Sequence, residues 1–389
     1  MNDGFKNRIE QALGERRSKG LTRSLVASRN GNTTELIRNN QRLVNFSSND
    51  YLGLANDQEL LQAWQKGLDL YGCGSGASPL VTGFSPAHQN LESSLCEWLG
   101  FDRAILFSSG FSANQALIFS LLEKGDELYQ DKLNHASLME AGILSPANMR
   151  RFKHNDTEHL IKLLSSNEAN TSNRFVVTEG VFSMDGDVAP LSSIAEATKN
   201  RAWLAVDDAH GIGVLGDEGQ GSCYAQGVKP NILVVTFGKA FGLSGAAILC
   251  DSDTGDYLTQ FARHHVYSTA IPPSQAYALS HAITMIQTQH WRREKLTELR
   301  SVFNSRLHSF EQVIETETPI NPIIVGSTEN AIKAANHLNQ SGFGVTAIRT
   351  PTVPVNMARL RVTLTAAHSV SQVKQLSTCL QEVLGELNR

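Results

Sequence analysis

Four short segments carry residue types able to do chemistry. In TFGKAFGLSGAA (236–247), Lys239 stands among small residues, with glycines at 238, 242 and 245. A lysine held in such surroundings has its charged form disfavoured and can act as an amine nucleophile or base. A surface lysine with a buried stem is the competing reading. In VDDAHGIG (206–213), Asp207 comes three residues before His210. Strand alternation sends Asp207 and Asp208 to opposite faces, so only one should enter a site. A turn with an Asx cap gives the same letters. In FSSGFSANQA (107–116), Ser109, Gly110 and Phe111 stand where a helix should begin. Free N–H groups and the positive dipole end suit an anionic phosphate there, although helix capping alone also explains the SSG. His135, in NHASL (134–138), is either a satisfied loop histidine or a flat ring for stacking or proton transfer.

Taken together, an imine-forming lysine, an acid for a ring nitrogen, an anion cradle and a flat ring suit pyridoxal phosphate (PLP), and no other common cofactor needs that set. GCGSGA (72–77) does not follow a clear strand or open a clear helix, which argues against a dinucleotide fingerprint. No GxxxxGK[ST] loop is present. His264 and His265 are adjacent, a poor spacing for metal ligands, so no metal site is expected.

These residues need elements to hold them. Short apolar runs at 103–107, 174–179, 202–208, 231–237 and 245–250 alternate with helix-like stretches at 112–123, 157–166 and 190–200. That alternation predicts an α/β core with a mainly parallel sheet, whose carboxyl edge binds ligands. Residues 5–19 predict an amphipathic helix with Phe5, Ile9 and Leu13 on one face, and 42–55 a short strand and turn. The Gly/Ser-rich 72–88 reads as loop, 89–100 as helix and 274–315 as one long helix. Strands at 321–326 and 359–365 with helices at 329–340 and 369–387 predict a smaller α+β unit. The expected division is a helical arm (1–45), a large domain (46–285) and a small C-terminal domain (286–389).

Composition sets bounds. At about 150 residues per domain, 389 residues allow two or three. Apolar residues make up 41% and charged residues 19%, too apolar for disorder. A net charge of -4 gives no reason to expect a nucleic acid or an anionic membrane as partner. No apolar run reaches the roughly 18–20 residues of a membrane span, and residues 1–20 lack the apolar stretch of a secretory signal. The cysteines (73, 96, 223, 250, 379) are widely spaced without a CxxC pair, which fits a reducing cytoplasm rather than disulfides or zinc.

Eight segments in order carry a resemblance: NFSSNDYLGL (45–54), GSGASPLVTGFSPAHQNLE (74–92), SSGFSANQA (108–116), HASL (135–138), EGVFSMDGDVAPL (179–191), VDDAHGIGVLG (206–216), VTFGKAFGLSGAA (235–247) and YSTAIPP (267–273). The chain resembles the PLP-dependent α-oxoamine synthases of fold type I. The resemblance implies that Lys239 binds the cofactor covalently, Asp207 pairs with its ring nitrogen, His135 stacks on it and His210 bonds its phenolic oxygen. Ser109, Gly110, Phe111, Ser183 and Thr236 would lie beside it. Thr269 would reach the phosphate from the neighbouring subunit of a homodimer.

The implied reaction is a decarboxylative Claisen condensation of an amino acid with an acyl thioester. AIRTPTVP (347–354), RLRVTLTAAH (359–368) and GLTR (20–23) resemble the family members that join L-alanine to a pimeloyl thioester in biotin biosynthesis, carried on CoA or acyl-carrier protein. Thr352 and Arg23 would then meet the acyl substrate, and Arg361 the amino-acid carboxylate. Pro79 departs from the Arg of many relatives. The rivals are a sister synthase, such as one joining glycine to acetyl-CoA, and an inactive structural or regulatory subunit; the presence of Lys239 and Asp207 argues against the latter.

Overall fold

The computed structural model describes residues 3–166 and 172–387. Along the chain these form α1 (Gly4–Ser18), β1 (Ser28–Arg29), β2 (Glu35–Arg38), β3 (Gln41–Asn45), α2 (Gln58–Tyr71) and, after a single π-helical turn (Pro79–Gly83), α3 (Pro86–Leu99). The central part holds β4 (Arg103–Phe107), α4 (Gly110–Leu121), β5 (Glu127–Asp131), α5 (Ala136–Leu144), β6 (Asn148–Phe152), α6 (Thr157–Ser165), β7 (Arg174–Glu179), α7 (Leu191–Thr198) and β8 (Trp203–Asp207). It continues with α8 (Ser222–Ala225), β9 (Ile232–Thr236), β10 (Ala246–Cys250), α9 (Ser252–Phe261), α10 (Arg263–Val266), α11 (Pro273–Thr288) and α12 (Trp291–Leu307). Last come β11 (Ile320–Gly326), α13 (Thr328–Gln340), β12 (Phe343–Gly344), β13 (Thr346–Ile348), β14 (Ala358–Thr363) and α14 (Val370–Leu387).

A seven-stranded sheet, ordered β4-β10-β9-β8-β7-β5-β6, organises the molecule. Only β10 runs against its neighbours, so the sheet is mainly parallel and has one carboxyl edge. Its strands feed apolar side chains alternately to two faces. Ile105, Phe107 and Val234 join one buried cluster, and Leu106, Leu233 and Val235 the other. Helices cover both clusters, as a sheet apolar on both faces requires. Each fully buried Leu or Phe contributes about 1.5–3 kcal/mol through water exclusion.

A three-stranded sheet, β11-β14-β13, backed by α13 and α14, forms the smaller C-terminal unit. A second small sheet joins β12 to the N-terminal strands in the order β1-β2-β3-β12.

Three features differ from the sequence expectations. Among the described residues of the segment 1–45, helix covers Gly4–Ser18 alone; the second half is a hairpin, because Asn39 and Asn40 both take positive φ (50° and 61°) and turn β2 back onto β3. No residue of α1 is buried, so the Phe5–Ile9–Leu13 face is uncovered. The long helix over 274–315 is two helices, broken at Gln289–His290. There Arg292 turns back to donate to Leu52 O (2.8 Å) and Asp57 Oδ2 (2.6 Å), tying α12 to the turn before α2.

Candidate active site

The carboxyl edge of the sheet collects the site. Asp207 ends β8, Glu179 ends β7 and Thr236 ends β9; Glu179 and Asp207 sit side by side in register. Ser109, just after β4, caps α4 by accepting from Ser112 N (3.1 Å), which leaves the first N–H groups of that helix facing outward. His135 caps α5, its Nδ1 accepting from Ser137 N (3.2 Å). Lys239 lies in the turn after β9. Gly242 closes that turn at φ 69°, and a Cβ there would stand 2.4 Å from Ala55 N. The glycine is what lets the lysine turn pack against the 54–55 backbone.

These groups line one cavity of about 330 Å³, with Ser109, Gly110, Phe111, Asn114, His135, Glu179, Asp207, His210, Thr236 and Lys239 in its wall. Asp207 accepts from two neutral donors, Asn114 Nδ2 (2.6 Å) and Ala209 N (3.0 Å). Asn114 also donates to Ser137 Oγ (3.0 Å), which bonds His135 Nδ1 (2.8 Å), so acid and imidazole share one network. Glu179 accepts from the backbone N–H of His135. His210 Nδ1 meets the Tyr51 hydroxyl at 2.6 Å. The Lys239 amine has no hydrogen bond or ion pair among the described residues, and Thr236 Oγ1 is buried without a partner. Asp208 points the other way, accepting from Ser222 N (2.7 Å) and Ser222 Oγ (2.6 Å).

Burial and mutual charge tune these groups. Desolvation brings Lys239 down to about 8, although Asp207 and Glu179 favour its charged form. Desolvation and then the Asp207 charge hold Glu179 well above the usual carboxylate range, against the pull of Lys239. Burial, with Lys239 and Arg361 nearby, holds His210 well below the usual imidazole value and so neutral. His135 is lowered mainly by burial, partly offset by Asp207.

Not every expected site residue lies in the wall. Ser183 stands beside it, its carbonyl accepting from Arg361 Nε (2.6 Å). Arg361 also donates to Asn49 Oδ1 (3.0 Å) and, at 3.4 Å, to Tyr51 Oη. Arg23 Nη2 and Thr352 Oγ1 meet at 3.0 Å on the outer side of the small unit. Thr269 is exposed, in a segment whose Ala270 N donates to Ala77 O (3.1 Å). Asn114, Glu179 and Tyr51 belong to the site but follow from no spacing rule. Their only sequence signal is that each lies in a segment carrying the family resemblance. Away from the cavity, His337, Cys379 and Glu382 on α13 and α14 form the group, among the described residues, whose donor atoms lie close enough together to hold an ion.

The class of protein follows from comparison with known chains. The model of the aminotransferase class I and II family matches residues 41–380, and the chain belongs to that family. Within it, the chain belongs among the 8-amino-7-oxononanoate synthases. It is 64% identical to that enzyme of Vibrio parahaemolyticus over 98% of this chain and 99% of the relative, and 63% identical to that of Vibrio cholerae over 98% of each. Among solved structures, serine palmitoyltransferase of S. paucimobilis, which carries a PLP–myriocin adduct, matches with TM-score 0.92 and 25% identity over 100% of this chain and 99% of that one. The 8-amino-7-oxononanoate synthase of Francisella tularensis matches with TM-score 0.77 and 30% identity, over 89% and 98%. The fold is therefore that of the fold-type I PLP transferases.

PLP is the cofactor, and the cavity fits it. An unpaired amine of lowered pKa suits the aldehyde. A carboxylate held only by neutral donors suits a ring N–H⁺. The α4 N-terminus and the unpartnered Thr236 hydroxyl offer donors that suit a phosphate. Gly110 keeps that corner open, since a Cβ there would stand 2.6 Å from Thr236 Cγ2.

Proposed function

We propose that this chain joins L-alanine to a pimeloyl thioester, of CoA or of acyl-carrier protein, releasing carbon dioxide and the free thiol and giving 8-amino-7-oxononanoate in biotin biosynthesis. The observation that carries this reading is the convergence of Lys239 and Asp207 on one cavity at the α4 N-terminus, in a chain 58–64% identical along nearly its whole length to 8-amino-7-oxononanoate synthases. Identity at that level does not favour a sister synthase or an inactive subunit.

Bound PLP supplies an aldehyde for the amine and an electron sink for the substrate carbanion. Lys239 holds the cofactor, and its Nζ is the base that takes and returns the α-proton of alanine. Asp207, accepting from Asn114 Nδ2 and the Ala209 N–H, holds a proton on the ring nitrogen. His135 lies against the ring and His210 bonds its phenolic oxygen. Ser109, Gly110, Phe111 and Thr236 enclose the phosphate. Arg361 receives the alanine carboxylate as a bidentate partner. Arg23 and Thr352 meet the far end of the acyl chain.

Ser183 supports the site by holding Arg361. Thr269 completes the phosphate site from a second subunit, so the working form is a homodimer in the cytoplasm. The small domain (286–389) carries Arg361 and Thr352 against the large domain (46–285), and the arm (1–45) brings Arg23 across. The test is to incubate purified protein and PLP with alanine, glycine or serine and with pimeloyl- or acetyl-CoA. Product mass, thiol and carbon dioxide should appear for alanine with pimeloyl-CoA. Turnover of glycine with acetyl-CoA alone would overturn the reading.

A further inference from the structure

We propose that Tyr51 is a positioning residue that fixes the His210 proton on Nε2, making this ring a hydrogen-bond donor to the cavity, and that it acts as the middle link of a chain from Arg361 to His210. All three side chains are buried: Tyr51 is 0% exposed, His210 4% and Arg361 7%. The Tyr51 hydroxyl lies 2.6 Å from His210 Nδ1, 3.3 Å from Asn49 Oδ1 and 3.4 Å from Arg361 Nη2. It has one proton to give. A guanidinium only donates, so the Arg361 contact uses a hydroxyl lone pair. Two acceptors lie within reach of the hydroxyl proton, Asn49 Oδ1 at 3.3 Å and His210 Nδ1 at 2.6 Å, and the much shorter contact takes it, while Asn49 Oδ1 is served by Arg361 Nη1 at 3.0 Å.

A neutral imidazole carries one N–H, and with Nδ1 accepting, that N–H is on Nε2. Without Tyr51 no other described residue bonds a ring nitrogen of His210, and one of the two tautomers presents a lone pair where the proposed function needs a donor to a phenolic oxygen. The chain also ties an arginine of the small domain to a histidine of the cavity wall.

The inference rests on the proposed function for its consequence, but its test does not depend on that function. Full-length protein labelled with ¹⁵N-histidine is studied with and without PLP by long-range ¹H–¹⁵N correlation, with the His210 signal assigned from its loss in His210→Gln. Wild type should show a protonated Nε2 and a bare Nδ1. Tyr51→Phe, which keeps the buried ring, should show the second tautomer and a shifted visible band of the bound cofactor. Its kcat should fall about 10–100-fold, the worth of one hydrogen bond to a charged partner, while the KM for alanine changes less than about threefold. A wild-type proton on Nδ1 would overturn the proposal, as would a variant with unchanged tautomer and band. Should Tyr51→Phe not fold, the wild-type tautomer alone decides. A wild-type protein that forms no visible band with PLP would sink the proposed function and leave the tautomer readable in the apoprotein.

Discussion

In the proposed role Lys239 would attack an aldehyde only as the free amine, so its pKa of about 8 would set when the cofactor can be taken up. Below that value the neutral fraction rises tenfold per pH unit, and above it the fraction saturates. PLP uptake by apoprotein, followed by stopped-flow absorbance, should quicken about tenfold from pH 7 to pH 9 and then level off. An ordinary lysine would keep climbing towards pH 10, and that continued rise would contradict the burial argument. Asp207→Asn changes almost no volume but removes the carboxylate proposed to hold a ring proton. We expect kcat to fall ~100-fold or more with the thermal midpoint nearly unchanged, because the lost term is electrostatic stabilisation of a developing charge. Both residues were legible in the sequence, since each follows an apolar strand in a segment of small residues. Asn114 and Glu179 were not. Asn114 matters because α4 sets it over Ser137 and Asp207, and Glu179 because β7 and β8 lie in register. Neither pairing has a local signature.

Between residues and the whole molecule stands the loop 182–187, which links the seven-stranded sheet to the three-stranded one. Its Asp185 pairs with Arg359, its Ser183 carbonyl takes Arg361, and its Gly186 carbonyl takes Thr318 Oγ1 (2.8 Å). Behind it His154 bridges two acids, Nδ1 to Asp131 (2.9 Å) and Nε2 to Asp187 (2.7 Å). Asp131 also receives Leu133 N and Asn155 N, both at 2.8 Å, and so shapes the turn that delivers His135. Burial opposes charge on His154, but the hydrogen bonds and charges of Asp131 and Asp187 override it and raise it to about 10. A group raised on folding stabilises most below its unfolded pKa near 6.5, and that contribution is lost as pH rises through about 10. His154→Gln should therefore cost about 2–3 kcal/mol at pH 6, since it removes the positive charge paired with the fully buried Asp131, and much less at pH 10.5. Thermal melts of both proteins at the two pH values check this; an equal gap at both would refute it. The sequence pattern hid these supports, because β5 (ELYQD) and β6 (NMRRF) are too polar to read as strands. β5 is nonetheless wholly buried, its polar side chains meeting partners within the fold. The break at Gln289–His290 was hidden for the opposite reason: apolar spacing continues through it, and Arg292, reaching back to Leu52 and Asp57, fixes where it falls.

At the scale of the whole molecule, the single chain leaves large apolar side chains bare on two neighbouring stretches. Leu80 is 53% exposed and Val81 73%, in the π-helical turn, and Tyr267 77%, before the 268–271 segment. That segment is held to the residues on either side of the turn by Ala270 N to Ala77 O (3.1 Å) and by His88 Nε2 with Ile271 O (2.7 Å). Apolar exposure on adjoining stretches is a mark of an interface. The same segment carries Thr269, which lies outside this chain's own cavity yet is the phosphate contact expected from a second copy. A two-fold dimer built on this face would cover the exposed side chains and would bring each Thr269 towards the other chain. Light scattering should therefore give the mass of two chains. Val81→Asp should shift the protein towards the single chain, since a buried unpaired charge at each of two symmetric positions costs several kcal/mol. PLP affinity should fall with dimer content, because the phosphate then loses its contact from across the interface. Thr269→Ala should weaken PLP binding about tenfold, one hydrogen bond to a charged phosphate, without changing the mass. A monomeric Val81→Asp protein that binds PLP as tightly as wild type would show that each cavity is complete within its own chain.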